Sequence, residues 1–98
     1  VAPGTGDVGW LAALDGLLDA ARGFAPDAVV VALGVDAAAG DPNSPLAVTA
    51  EGYREAGRRI GSLGAPVVAV QEGGYDPATL GGLVVAALEG LEEGARDA

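Results

Sequence analysis

The stretch "VVVALGVDAAAGDP", residues 29–42, decides how the rest of the chain is read. An apolar, β-branched run ends in Gly34, and a carboxylate, Asp36, stands just beyond it. A run that is apolar without alternation suits a strand covered on both faces, as in a parallel sheet. Asp36 at the mouth of such a strand admits two readings. It can close an Asx turn on its own backbone, or it can ligate a metal. The chain has no histidine and no cysteine, so a metal's other ligands would lie outside these 98 residues.

Upstream, "VAPGTGDVGWLAALDGLLDAARGFAPD" opens as a Gly/Pro loop and then takes on helical spacing. Trp10, Leu11, Leu14, Leu17, Leu18 and Ala21 form one apolar stripe. Thr5 or Asp7 is the expected N-cap, Gly23 the expected stop, and Pro26 blocks continuation. Residues 28–33 are the first strand, and a loop rich in Gly, Pro, Asn and Asp follows. Thr49 then caps a second helix, with Tyr53, Ala56 and Ile60 inward and the arginines outward as a solvated face. Gly52, Gly57 and Gly61 each weaken that helix by about 0.5–1 kcal/mol relative to Ala, which close packing against a sheet would explain. "PVVAVQ", residues 66–71, is the second strand. Asp76 and Pro77 read as N-cap and first position of a third helix over 77–93, entered through a short turn, with "ARDA" as a polar tail.

The order is therefore α-β-α-β-α, an α/β class with a parallel sheet and a right-handed crossover through the second helix. Parallel strands end on one edge, so Asp36, just past the first strand, and Tyr75, just past the second, converge on one crevice. Open α/β sheets bind ligands at that edge. Two strands alone leave both sheet edges bare, so these residues are expected to be one segment, 1–98, of a larger domain. A chain that begins with Val1 and holds no Met fits that expectation.

Composition narrows the function further. The net charge of −9 argues against a phosphate-backbone partner, and all five basic residues are Arg. The Ala- and Gly-rich composition suits GC-rich bacterial coding. No apolar run approaches the roughly 20 residues needed to span a bilayer, and no signal-peptide pattern precedes the first helix, so a cytoplasmic location is expected. The absence of cysteine removes disulfides and thiolate metal sites.

Taken in order and spacing, "LGVDAAAGDP", "LAVTAEGY" and "QEGGYD", with the opening "PGTGD…WLAAL…FAPD", resemble the C-terminal part of the zinc-dependent histone deacetylase and acetylpolyamine amidohydrolase superfamily. That resemblance implies the C-terminal portion of a three-layer, parallel-sheet fold related to arginase. It implies that Asp36 is the third zinc ligand, the other two being an aspartate and a histidine upstream of Val1. Tyr75 resembles the catalytic tyrosine, preceded by Gly73 and Gly74, which would let the backbone bend. Asp41, before Pro42, resembles the structural aspartate of the same loop, supporting the site or capping a turn. Asn43, Ser44 and Pro45 lie where relatives border the substrate entrance.

The residue types suit the implied chemistry. A catalytic zinc keeps three protein ligands and one open position. It polarises an acetamide carbonyl, and a tyrosine hydroxyl can donate to the oxyanion that develops. The family's histidine base is missing from this chain, so the segment alone should be inactive. Ala38 stands where arginase-type dinuclear sites carry a further carboxylate, which favours a single Zn²⁺ and deacetylation. A small acetylated amine or acetyl-lysine is the implied substrate, with neither nucleic acid nor membrane as partner; a homo-oligomer of the full-length protein is compatible with this.

The alternative from another class is a non-catalytic, flavodoxin-like α/β module that binds a small ligand or protein at the same strand edge. Glu72-Gly-Gly-Tyr75 is no phosphate loop, since it lacks both the G-x-G-x-x-G spacing and a P-loop lysine. Tyr53 and Trp10 read as core.

Overall fold

A computed structural model describes residues 2–42 and 44–98. Three helices and two strands follow in the expected order: α1 Asp7–Phe24, β1 Val29–Leu33, α2 Ala50–Gly61, β2 Val67–Gln71 and α3 Leu80–Asp97. The strands pair in parallel, Val29 opposite Val67 through Leu33 opposite Gln71. Pairing continues past both strand ends: Glu72 N–H donates to the Leu33 carbonyl at 2.7 Å and Val35 N–H to the Gly73 carbonyl at 2.8 Å. These two bonds hold the post-strand loops side by side.

Helix boundaries differ from the sequence expectation in instructive ways. Neither Thr5 nor Asp7 caps α1; Gly6 is its N-cap, without a side-chain bond. The Thr5 hydroxyl donates to the Ala2 carbonyl, and Asp7 is drawn away to the start of α2. There its carboxylate accepts from Thr49 N–H at 2.8 Å and from the Thr49 hydroxyl at 2.5 Å. Thr49 in turn caps α2 as expected, accepting from Gly52 N–H at 3.2 Å. Helix α1 runs past Gly23 to Phe24 and stops at Ala25, left-handed at φ 55°. Ala25 precedes Pro26, whose ring disfavours a right-handed helical conformation for the residue before it.

At the other end, Asp76 caps a turn and not the helix itself. Its carboxylate accepts from Ala78 N–H at 3.1 Å, and its carbonyl accepts from Leu80 N–H at 3.0 Å, leading into α3 at Leu80. The expected polar tail is helical as far as Asp97, with Arg96 paired to Glu92 one turn back at 3.1 Å.

The α2 glycines face another helix, not the sheet. A Cβ on Gly57 would strike the Ala87 carbonyl oxygen of α3, and one on Gly61 that of Leu91. The relation is reciprocal: on α3, Gly90 and Gly94 lie against the carbonyls of Arg54 and Arg58. Two glycine pairs at four-residue spacing thus let the helix backbones touch. Two arginines expected to be simply solvated, Arg54 and Arg58, bridge across this seam to Glu93, while Arg59 reaches Glu55 within α2 at 2.9 Å and Asp15 of α1 at 3.0 Å.

The core consists of Val35, Ala38, Val48, Tyr53, Leu83 and Ala87, with Trp10 packed edge-on to Tyr53 at 5.0 Å. On α1, Leu11 and Leu18 are buried, but Leu17 of the expected stripe is exposed. The strands alternate in burial, contrary to the expectation of cover on both faces: Val30, Val68 and Val70 are 72, 59 and 49 % exposed. One sheet face is packed by this chain and the other stays open.

Candidate functional site at the strand mouths

Asp36 leaves β1 on a loop pinned from several directions. The Ala37 carbonyl accepts Val48 N–H at 3.1 Å, while Ala39 N–H donates to the Val48 carbonyl at 2.9 Å. The Asp36 carboxylate lies between the backbones of Gly34 and Gly73. A Cβ on Gly73 would stand 2.6 Å from Asp36 Oδ2, and one on Gly34 2.9 Å from Oδ1. Glycine at 73 therefore leaves room for the carboxylate, a different reason from the flexibility expected of it.

Gly74 is the residue that bends. Its φ of 150° is one that side chains rarely allow, and a Cβ there would also meet Val35 and Leu80. Holding another residue in such a conformation costs on the order of 1–3 kcal/mol. Tyr75 follows directly. Its N–H donates to Asp41 Oδ2 at 2.8 Å, across 34 positions of sequence. Asp41 is the one buried charged side chain among the described residues, 7 % exposed. A backbone N–H on a carboxylate is a charge-assisted bond, stronger than its neutral counterpart. It ties the loop of Asp36 to the loop of Tyr75.

The Tyr75 ring is half exposed, and among the described residues its hydroxyl takes no hydrogen-bond partner. Asp36, Asp41, Gly73, Gly74 and Tyr75 are thus gathered at one edge, Asp36 against Gly73 and Asp41 bonded to the Tyr75 backbone. Ser44 folds on itself, its hydroxyl accepting from Leu46 N–H at 2.9 Å; Asn43 lies outside the described residues. Ala38 is buried beside Val35 and Val48 and offers no further ligand.

Tyr53 is the residue whose part at this edge is invisible in sequence. Helical spacing places it in the core, and it is 1 % exposed, yet its hydroxyl accepts the N–H of Ala37 at 3.2 Å. Burial pushes the Tyr53 phenol up to about 12, against the lowering effect of the Ala37 bond, and the nearby negative charges of Asp36 and Asp41 push the same way as burial. The phenol stays neutral at physiological pH.

Among the described residues no three His, Cys, Asp or Glu side chains cluster closely enough to hold a metal ion. Asp36 supplies one partly buried carboxylate at a strand mouth, the kind of donor that can fill one of a metal's ligand positions.

The histone deacetylase domain matches residues 1–91. The chain belongs to the histone deacetylase domain family. Acetylpolyamine amidohydrolase 1 of Pseudomonas aeruginosa is 41 % identical over 96 residues, 98 % of this chain but 28 % of that protein. Histone deacetylase 8 of Arabidopsis thaliana is 37 % identical over 94 residues, 90 % of this chain and 25 % of the relative. Among solved structures, the acetylpolyamine aminohydrolase of Burkholderia pseudomallei superposes with a TM-score of 0.88 at 37 % identity, covering 93 % of this chain and 27 % of that one. This deacetylase-family chain has the arginase/deacetylase fold, in the α/β form expected. It spans about a quarter of the length of these relatives. They do not favour the flavodoxin-like binding module.

Proposed function

We propose that the protein carrying this segment is a zinc-dependent amidohydrolase that removes acetyl groups from acetylated amines. Residues 1–98 are then the C-terminal part of a larger deacetylase-like domain, and the open valine face of the sheet is where the remainder packs. The observation that carries the reading is the seating of Asp36 between two glycine backbones, beside a loop whose Tyr75 N–H is held by Asp41. The relatives named acetylpolyamine amidohydrolases point to acetylated polyamines, with acetyl-lysine the other substrate class. A cytoplasmic bacterial enzyme, free or assembled as a homo-oligomer, accommodates this activity.

In this reading Asp36 holds the zinc with two ligands from the rest of the protein. When bound, the metal supplies Lewis acidity toward the acetamide carbonyl and its water. Tyr75 donates its hydroxyl proton in a hydrogen bond to the carbonyl oxygen as negative charge develops there. Its half-exposed hydroxyl, without a partner among the described residues, is free to do so, and the Asp41 bond fixes the backbone from which the ring extends. Asp41 is a positioning residue. Gly73 keeps the ligand's space clear and Gly74 provides the turn. The 98-residue segment by itself is inactive, because it lacks two ligands and a base.

Acetate release by the full-length protein from acetylputrescine, acetylspermidine and an acetyl-lysine peptide tests this directly. We expect turnover of at least one substrate, abolished by a zinc chelator and lowered on the order of 10²–10³-fold in kcat by Tyr75→Phe, the usual loss for one oxyanion donor. Turnover unaffected by Tyr75→Phe would contradict the assignment.

A further inference from the structure

Packing alone asks no hydroxyl of residue 53. The ring fills the core against Trp10, which phenylalanine would do as well, and a buried hydroxyl costs stability unless it is bonded. Here it accepts the N–H of Ala37, the peptide that immediately follows Asp36. On the other side the same segment is laddered to Val48. Val48 leads straight into the α2 N-terminus, where Asp7, Thr49 and Gly52 form a bonded cluster. The backbone beyond Asp36 is therefore clamped from both sides by one rigid element, and the phenol is the half of that clamp made by a side chain.

We propose that the Tyr53 hydroxyl is a positioning residue for metal ligation: by holding the Ala37 peptide it sets the direction of the Asp36 carboxylate. The inference rests on the reading of Asp36 as a ligand. It predicts that loss of one oxygen atom, on a side chain 16 positions from the peptide it holds, loosens the metal without loosening the fold.

The experiment measures the zinc dissociation constant of the full-length protein by competition with a chromogenic chelator, alongside thermal unfolding of the metal-free form. Three variants are compared with wild type. Tyr53→Phe should fold and bind zinc about 10–100-fold more weakly, the usual cost of losing a partner that orients a ligand. Trp10→Leu removes the ring contact and keeps the hydroxyl; it should lower the unfolding temperature and leave the zinc affinity of the folded protein unchanged. Asp36→Asn should lose the metal altogether. If Asp36→Asn loses zinc but Tyr53→Phe binds it as wild type does, the Tyr53 proposal fails while the ligand reading stands. Equal weakening by Tyr53→Phe and Trp10→Leu assigns Tyr53 a purely structural part and also overturns the proposal. If Asp36→Asn retains wild-type affinity, the ligand reading falls and this inference with it. Should Tyr53→Phe not fold, 3-fluorotyrosine at position 53 keeps the ring and weakens its oxygen as an acceptor. Weakened zinc binding then supports the proposal, and unchanged binding rejects it.

Discussion

Position 73 is where a single added methyl group would act on the Asp36 carboxylate most directly. Because a Cβ there would overlap the Asp36 carboxylate and not a backbone atom, Gly73→Ala should leave the fold intact and push the carboxylate aside. Zinc affinity of the full-length protein should fall on the order of 10–100-fold, with the unfolding temperature of the metal-free form little changed. Tyr53 offers a second readout, at alkaline pH. Its phenol is raised from 10.0 to about 12 by burial, so the folded state keeps a proton that the unfolded state gives up above about pH 10. Stability from this group is complete below pH 10 and declines as pH rises toward 12. Tyr53→Phe should remove that share of the alkaline decline, which urea unfolding at a series of pH values would register. That Asp36 and Tyr75 share an edge is legible in sequence because both follow the ends of strands expected to be parallel, whereas the parts proposed for them rest on the family resemblance. The part played by Tyr53 is not legible, since helical spacing reports which face a side chain occupies and says nothing of what its hydroxyl meets 16 positions away.

Between elements, the tightest seam joins α2 and α3. Alanine is a better helix former than glycine by about 1 kcal/mol, so Gly→Ala at an open site stabilises. At Gly57 and Gly90 the added methyl would meet backbone carbonyls, which cannot swing aside. Gly90→Ala should therefore destabilise the intact protein by about 1–3 kcal/mol, read as a lower denaturant midpoint. Gly16→Ala on α1, where a Cβ meets nothing within 4 Å, should do the reverse. The same seam holds Glu93. Burial would raise its carboxyl, but the guanidiniums of Arg54 and Arg58 outweigh that and hold it below its ordinary value. Its contribution is present above the usual carboxylate range and lost as pH falls through the lowered value, so Glu93→Gln should flatten part of the acid-side decline in stability. Strand order and helix number follow from apolar periodicity. The glycine pairs were visible as weak helix positions, but which surface they meet depends on a later helix, α3, that begins only at Leu80. Cap assignments failed at α1 for a related reason: Asp7 serves a helix 42 positions away.

For the molecule as a whole, half of the sheet's side chains are left without cover. Val30, Val68 and Val70 form an apolar face of the kind that marks an interaction surface or an aggregation liability. The isolated segment should bind a hydrophobic dye and self-associate, and co-expression with the preceding part of the protein should suppress both; dye binding and light scattering check this. Continuous β-branched runs announced a doubly covered sheet. This chain covers one face and leaves Val30, Val68 and Val70 of the other exposed; in the proposed reading the second layer comes from the rest of the domain. The shared rim of Asp36 and Tyr75 was foreseeable from parallel strands alone. The bond from Tyr75 to Asp41 that locks the rim was not, because it joins two loops whose geometry exists only after the strands pair. A crystal structure of the full-length protein with zinc, measured at the zinc absorption edge, bears on this most directly. The account predicts an anomalous peak at a distance of about 2.0–2.2 Å from an Asp36 carboxylate oxygen, with the Tyr75 hydroxyl facing the metal's open position. A peak remote from Asp36, or Tyr75 directed away from it, would contradict the account.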